Sequence, residues 1–265
     1  MSSLIAIEDA GHVRTIRLNR PEVKNALNQE LAWGIVTAIE DAMKVDDAWV
    51  ICLTGTGDAF CSGLDLRGPG DYSPKSPLTT QLDDLSWVSE FLLTLRQKCD
   101  KPIIGAINGV AVGAGLSLAL ATDIRLMKRS ARILAGYPRI GGSPDGGMTF
   151  TLSQAIGYEQ TMRFLLENKT VDAEEALRLG LVGEVVDDDR WEARVAEYCQ
   201  GLCATVSPIT MRLTKRTVVK ATTAIDLEAQ CRLELSSIRM AFASEDGKEA
   251  RRAFMEKRPP VFRGR

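Results

Sequence analysis

The 265-residue sequence predicts an α/β core followed by a helical extension. Two observations predict it. Over the first two-thirds of the chain, short apolar runs of strand length alternate with longer segments of helical spacing, and glycine-rich turns follow the strand-like runs. Beyond Asp172 the pattern is almost entirely helical to about Lys257. At 45% hydrophobic residues the chain can bury a substantial core, and 26% charged residues suit an ordinary water-facing surface.

Leu4–Glu8 and Val13–Asn19 read as a hairpin closed by Asp9-Ala10-Gly11. Asn28 stands as an N-cap before Leu31, Ile35, Ile39 and Ala42, whose spacing predicts a helix to about Lys44. Trp49–Thr54 is a short apolar strand ending at Gly55-Thr56-Gly57. Residues 68–80, rich in Pro, Gly and Ser, predict a mobile loop beside the site, and Gln81–Gln97 has the composition of a helix. Ile103–Ile107 is a second buried strand that runs into a glycine-rich turn and the helical stretch Gly115–Ala121. Ile124–Met127 and Arg132–Ala135 read as strands, Gly146–Ile156 as a helix, and Asp172 as the N-cap that opens the helical last third. No period of 20–50 residues repeats.

A net charge of −2 argues against nucleic acid as the main partner. The balance is uneven, because residues 251–265 collect Arg251, Arg252, Lys257, Arg258, Arg263 and Arg265 against Glu256 alone. Such a run is either solvated surface or a contact for a polyanionic small ligand. Cys52, Cys61, Cys99, Cys199, Cys203 and Cys231 form no Cys-x-x-Cys pair, and with one histidine they make no zinc pattern. They read as reduced thiols, mostly in the core of a cytoplasmic protein. No signal-peptide pattern and no run of about 18 apolar residues is present, so the expectation is a soluble protein without a membrane partner. His12 sits in the hairpin turn and reads as plain surface, which argues against a histidine-dependent nucleophile.

Two segments carry the chemistry. Gly57-Asp58-Ala59-Phe60-Cys61-Ser62-Gly63-Leu64-Asp65-Leu66 follows a strand directly, and Asn108-Gly109-Val110-Ala111-Val112-Gly113-Ala114-Gly115 lies between a strand and a helix. Small residues after a strand let the backbone approach a ligand and leave amide N–H groups free to donate. In the second segment those amides also stand at a helix N-terminus, which favours developing negative charge. Neither segment alone says more than a tight turn. No G-x-G-x-x-G follows the first strand and no G-x-x-x-x-G-K-[ST] occurs, so the common nucleotide-binding motifs are absent.

Together, at this spacing, the two segments resemble the oxyanion-hole segments of the crotonase (enoyl-CoA hydratase/isomerase) family. The resemblance runs over nearly the whole chain, from Asn19-Arg20-Pro21 and Asn25-Ala26-Leu27 to Phe254-Met255-Glu256-Lys257-Arg258. It implies the crotonase (ClpP-like) fold: a spiral of ββα units over residues 1–198, then a helical trimerisation segment over 199–265 in a homotrimer or dimer of trimers. It also implies an acyl-CoA thioester substrate, with coenzyme A part of that substrate and no metal or resident cofactor. Carried over by position, the amides of Leu64 and Ala114 hold the thioester oxygen, each such donor being worth roughly 3–4 kcal/mol to the transition state. The backbone of Ser62, Leu64, Asp65 and Leu66 meets the adenine, Ala26 and Leu27 flank the pantetheine, and Lys24, Arg67 and Lys257 approach the phosphates.

Where the hydratases that this chain resembles carry two glutamates, it has Ser117 and Tyr137, so a two-glutamate mechanism is closed to it. Ser117 reads as packing or a weak polar contact. Tyr137 reads as acyl-pocket lining with its hydroxyl an auxiliary donor. An acid stands instead at Asp145, within Pro144-Asp145-Gly146-Gly147. Taken alone that is a turn or N-cap signature. In the family register it resembles the acid/base aspartate of isomerases such as the bacterial oxepin-forming epoxyphenylacetyl-CoA isomerase. A single carboxylate suits an isomerase, which moves one proton between nearby carbons. The alternatives are a dehalogenase or hydrolase with Asp145 as nucleophile, a hydratase that recruits Glu90 as a second acid, and a CoA-binding protein without catalysis. Glu90 is most simply a solvated helix residue. Trp87, Phe91, Leu116, Tyr137 and Met148 are candidates for the acyl pocket.

Overall fold

The structure, a computed structural model, describes residues 4–67, 87–224 and 226–265. The loop expected at 68–80, residues 81–86 of the helix expected behind it, and the side chain of Trp87 lie outside the described residues.

Strands β1 (Ile5–Ala10) and β2 (Val13–Leu18) form the antiparallel hairpin. The first strand runs on to Ala10, so the reversal falls on Gly11, at φ +57°, and His12 rather than on Asp9-Ala10-Gly11. Parallel pairing then carries β2 to β3 (Val50–Gly55), β3 to β5 (Ile103–Ile107), β5 to β7 (Ile124–Lys128) and β7 to β10 (Glu184–Val186), a six-stranded sheet. A second, four-stranded sheet holds β4 (Ala59–Cys61), β6 (Val110–Val112), β8 (Arg132–Leu134) and β9 (Val171–Asp172). The chain visits the sheets alternately, β3, β5 and β7 in the large one and β4, β6 and β8 in the small one. Helices α2 (Trp87–Leu93), α3 (Ala114–Ala121) and α4 (Met148–Glu167) follow those pairs. This repeating strand–strand–helix unit is the expected spiral.

Side-chain alternation along the large sheet separates two cores. Ile51, Leu53, Ile103, Ile107 and Met127 enter one, while Val50, Cys52, Ile104, Ala106 and Leu126 enter the other. Both faces are covered, which is why these strands read as unbroken apolar runs. The first core takes Leu31, Ile35, Ile39 and Ala42 from α1 (Gln29–Lys44), at the predicted spacing. Asn28 caps that helix by accepting from the Leu31 amide at 2.8 Å. The second core takes Trp191, Val195, Cys199 and Cys203 from α6 (Trp191–Thr205). The boundary expected between residues 198 and 199 therefore falls inside a helix that packs on the sheet.

Asp172 caps α5 (Ala173–Leu179) as expected, accepting from the Glu175 amide at 2.9 Å. The last third is not purely helical, since β10 interrupts it before α6, α7 (Pro208–Ala221), α8 (Leu227–Ala243) and α9 (Glu245–Glu256). Helix α2 ends at Leu93 and passes into a π-turn over Thr94–Lys98. Helix α4 begins at Met148, breaks at Gly157 (φ 75°) and continues to Glu167, well past the expected Ile156. His12 is not plain surface: its half-buried ring stacks on Trp49 with centroids 3.5 Å apart. The cysteines are free, and all but Cys231 are buried. Among the described residues no helix is long and apolar enough to cross a membrane.

Candidate active site

The turn from β3 to β4 is held by two buried asparagines. Asn108 Nδ2 donates to the carbonyls of Gly57 (3.0 Å) and Ala59 (3.2 Å), while its Oδ1 accepts from the Gly55 amide (3.1 Å) and Thr54 Oγ1 (3.2 Å). From the other side Asn25 Nδ2 donates to the carbonyls of Thr56 (3.0 Å) and Ala59 (2.8 Å). Asn25 has φ +55°, a conformation asparagine tolerates better than most residues. With every polar end engaged, the turn cannot shift without exposing buried donors, each costing about 1–3 kcal/mol.

Beyond β4 the chain lies along residues 24–27. The Ser62 amide donates to the Lys24 carbonyl (3.0 Å), Leu27 to Gly63 (2.7 Å) and Asp65 to Leu27 (2.8 Å). Leu64 is thus the residue in register with Leu27 in a parallel bridge. In such a bridge the flanking groups make the bonds, so the N–H of Leu64 itself points to the opposite side. Gly63, at φ +93°, sits against the second segment: a Cβ there would lie 2.6 Å from the Val112 carbonyl oxygen and 3.8 Å from the Ala114 nitrogen. Gly113 (φ 53°, ψ −124°) turns the chain into α3, leaving Ala114 as the first helical residue. Neither the Leu64 nor the Ala114 amide has an acceptor among the described residues. Two unspent donors therefore stand on segments in contact.

Arg20 joins the parts of this surface. Its guanidinium donates to the Ala26 carbonyl (2.6 Å) and to Asp65 Oδ2 (3.0 Å). Asp65 Oδ1 in turn accepts from the backbone and Nε of Arg67 (3.2 and 3.1 Å). These bonds, led by that of the Arg67 side chain, hold the Asp65 carboxyl down at about 2. Lys24, Ala26, Leu27, Ser62, Leu64, Asp65, Leu66 and Arg67 are thus assembled on one surface, with Lys24, Leu66 and Arg67 exposed. No direct bond ties Lys257 to it among the described residues. Lys257 ends α9 in the left-handed conformation and, among the described residues, has no hydrogen bond or ion pair with residues 24–27 or 62–67. Much of the basic tail is spent on its own acids, Arg258 on Glu249 and Glu256 and Arg265 on Glu245.

The third component is the turn before α4. Asp145 does not cap that helix: the N-cap is Gly147, and no side chain makes a cap bond. Its Oδ1 accepts instead from the Tyr137 hydroxyl at 2.7 Å. Ser117 Oγ lies 3.2 Å from the Tyr137 oxygen and donates to the Asp145 backbone carbonyl at 3.1 Å. Ser117, Tyr137 and Asp145, far apart in sequence, form one cluster, and burial pushes the Tyr137 phenol up. Ser117 sits three residues beyond Ala114 on α3, about 4.5 Å further along the axis and on the same face. The glycines that follow Asp145 both have positive φ and fit closely: a Cβ on Gly147 would fall 1.8 Å from Leu92 Cδ2, and one on Gly146 2.8 Å from Val88 Cγ1.

Val88 and Leu92 face that turn, so helical geometry turns Glu90 to the opposite side of α2. Glu90 is ion-paired with Lys98. Phe91, Leu116 and Met148 are buried in the main core. No cluster of residues able to hold a metal occurs among the described residues. Apart from their presence in the quoted motifs, Arg20, Asn25 and Asn108 carry no local signal of these roles, because most of their partners are distant in the chain.

The sequence profile of the enoyl-CoA hydratase/isomerase family matches residues 8–265. A probable enoyl-CoA hydratase of Rhodobacter capsulatus is 36% identical, with 98% of each chain aligned. A 1,2-epoxyphenylacetyl-CoA isomerase of Escherichia coli is 33% identical over 96% of this chain and 95% of that one. The crystal structure of an enoyl-CoA hydratase from Bacillus anthracis covers 99% of this chain and all of its own at 28% identity, with a TM-score of 0.89.

Proposed function

Since the chain belongs to the enoyl-CoA hydratase/isomerase family and has its crotonase fold, we propose that it is an enoyl-CoA isomerase in which Asp145 moves the proton. The observation that carries this is the environment of Asp145. Among the described residues it is the one carboxylate of the cluster, and Tyr137 and Ser117 are bonded to it, with their hydroxyl oxygens 3.2 Å apart. No second acid of the described residues joins this cluster to orient water, and Glu90 is committed to Lys98. In the proposed reaction the thioester oxygen accepts from the Leu64 and Ala114 amides. Asp145 takes a proton from C2 of a β,γ-enoyl thioester, and the freed electron pair spreads through C2–C4 onto the oxygen. The same carboxyl returns the proton to C4, so that the C3=C4 double bond becomes C2=C3. Coenzyme A enters only as part of the substrate, held in this proposal along residues 24–27 and 62–67 with Lys24 and Arg67 toward its phosphates.

A panel of β,γ-enoyl-CoA thioesters, followed by the ultraviolet absorbance of conjugation, tests the reaction. At least one member should be converted to its α,β isomer with no 3-hydroxyacyl product. Faster hydration of α,β-enoyl-CoA than isomerisation of any β,γ substrate would overturn the proposal.

We also propose a homotrimer. Tyr158, Met162 and Leu166 recur every fourth residue on α4 with 79%, 38% and 68% of their surface exposed. Leu227, Leu235, Ile238 and Phe242 are exposed along α8. Apolar helix faces of this extent are typically covered by another chain. Sedimentation equilibrium should return three chain masses; a monomer at micromolar concentration would refute the assembly.

A further inference from the structure

We infer that Tyr137 is a positioning residue whose hydroxyl fixes one oxygen of Asp145 and so assigns proton transfer to the other, with Ser117 completing the hold. This rests on the isomerase proposal above. Proton counting carries it. An ionised carboxylate only accepts, so the 2.7 Å bond commits the single Tyr137 proton to Asp145 Oδ1. The Ser117 proton serves the Asp145 backbone carbonyl, 3.1 Å away, while the Ser117 oxygen lies 3.2 Å from that of Tyr137. Asp145 is therefore held by both its side chain and its backbone.

Among the described residues Oδ2 has no partner, and the residue is exposed, whereas Tyr137 and Ser117 are buried. A proton taken from substrate settles on Oδ2 without disturbing any of these bonds, because Oδ1 still accepts from the phenol. Both protonation states of the shuttle thus share one geometry, and no rotamer change intervenes between taking the proton and returning it. Burial of the phenol, which favours its neutral form, keeps that donor loaded. The hold also sets register. Ser117 lies on the helix that presents the Ala114 amide, one turn away, so base and oxyanion donor are referred to the same rigid element.

The test is a mutant cycle on trans-3-hexenoyl-CoA, with the wild type, Tyr137→Phe, Asp145→Asn and the double variant. Single-turnover rates with excess enzyme are used for the slow variants. Tyr137→Phe keeps the ring and should lower kcat about 10- to 100-fold, the range for a lost hydrogen bond to a charged group, with KM changed less than about twofold. In the Asp145→Asn background the same substitution should change the rate by less than about twofold, since a residue that acts through Asp145 has nothing left to position. Should Tyr137→Phe fail to fold, Ser117→Ala carries the test, with about a 2- to 10-fold loss of kcat and the same non-additivity. A kcat within twofold of wild type for Tyr137→Phe overturns the inference. So does an equal loss in both backgrounds, which puts the phenol on the substrate itself. Wild-type turnover by Asp145→Asn alone would instead remove the isomerase proposal, a separate outcome.

Discussion

Asp145→Asn should lower isomerisation by about 100-fold or more, the usual scale for loss of a general base, while coenzyme A binding and thermal stability stay nearly unchanged. Asparagine is isosteric with aspartate, and its amide oxygen can still accept from the Tyr137 hydroxyl, which bonds Oδ1 at 2.7 Å. Ser117 donates to the backbone carbonyl of residue 145, which the substitution does not touch. No helix cap is lost, because α4 is capped at Gly147 without a side chain. The residue is exposed, and a surface substitution that breaks none of these bonds costs within about 0.5 kcal/mol. What disappears is only the capacity to bind and release a proton. Rate and stability are therefore separated in one variant: a large fall in kcat at constant melting temperature supports the base, whereas near-normal turnover removes Asp145 from the chemistry.

The framework of the fold was legible because its signals are periodic. The α1 stripe of Leu31, Ile35, Ile39 and Ala42 and the two-sided burial of β3 and β5 leave patterns that survive in one dimension. Strands β4, β6 and β10 have three residues each, too few for an alternation to declare itself, and β10 was lost within a segment read as helix. The site was legible in part for a different reason. Gly63 and Gly113 mark places where the backbone takes conformations closed to other residues, and those same turns release the Leu64 and Ala114 amides. Asp145 illustrates the limit. Its neighbours Pro144, Gly146 and Gly147 look like helix-start chemistry, yet the glycines answer to Val88 and Leu92 on another helix, and the carboxylate answers to Tyr137. No local pattern encodes those partners. The Asn25 and Asn108 grips that converge on the Ala59 carbonyl, and the Arg20 link between Ala26 and Asp65, are tertiary in the same sense.

Ala114→Pro should cost about 100- to 1000-fold in kcat, the measured scale for deleting one oxyanion donor, and the backbone here permits the substitution. Ala114 is the first residue of α3, the helical position where proline is best tolerated because its N–H has no intrahelical acceptor. The preceding residue usually resists a following proline unless it is extended. Gly113, at φ 53° and ψ −124°, is the mirror image of an extended conformation and, being achiral, is equally at ease there. The fold thus loses no hydrogen bond, since the Ala114 amide donates to no acceptor among the described residues. In the proposed site the proline ring carbon replaces the proton directed at the thioester oxygen, so it removes a donor and fills its place, and both changes act on the same atom of the substrate. Gly63→Ala is a poor substitute, because its Cβ would lie 2.6 Å from the Val112 carbonyl oxygen and displace the loop as a whole. The check is kcat for a β,γ-enoyl-CoA beside the affinity for free coenzyme A and the melting temperature. If turnover stays within about threefold of wild type while the chain remains folded, the nitrogen of residue 114 does not face the reacting carbonyl, and an oxyanion hole built from these two segments is untenable.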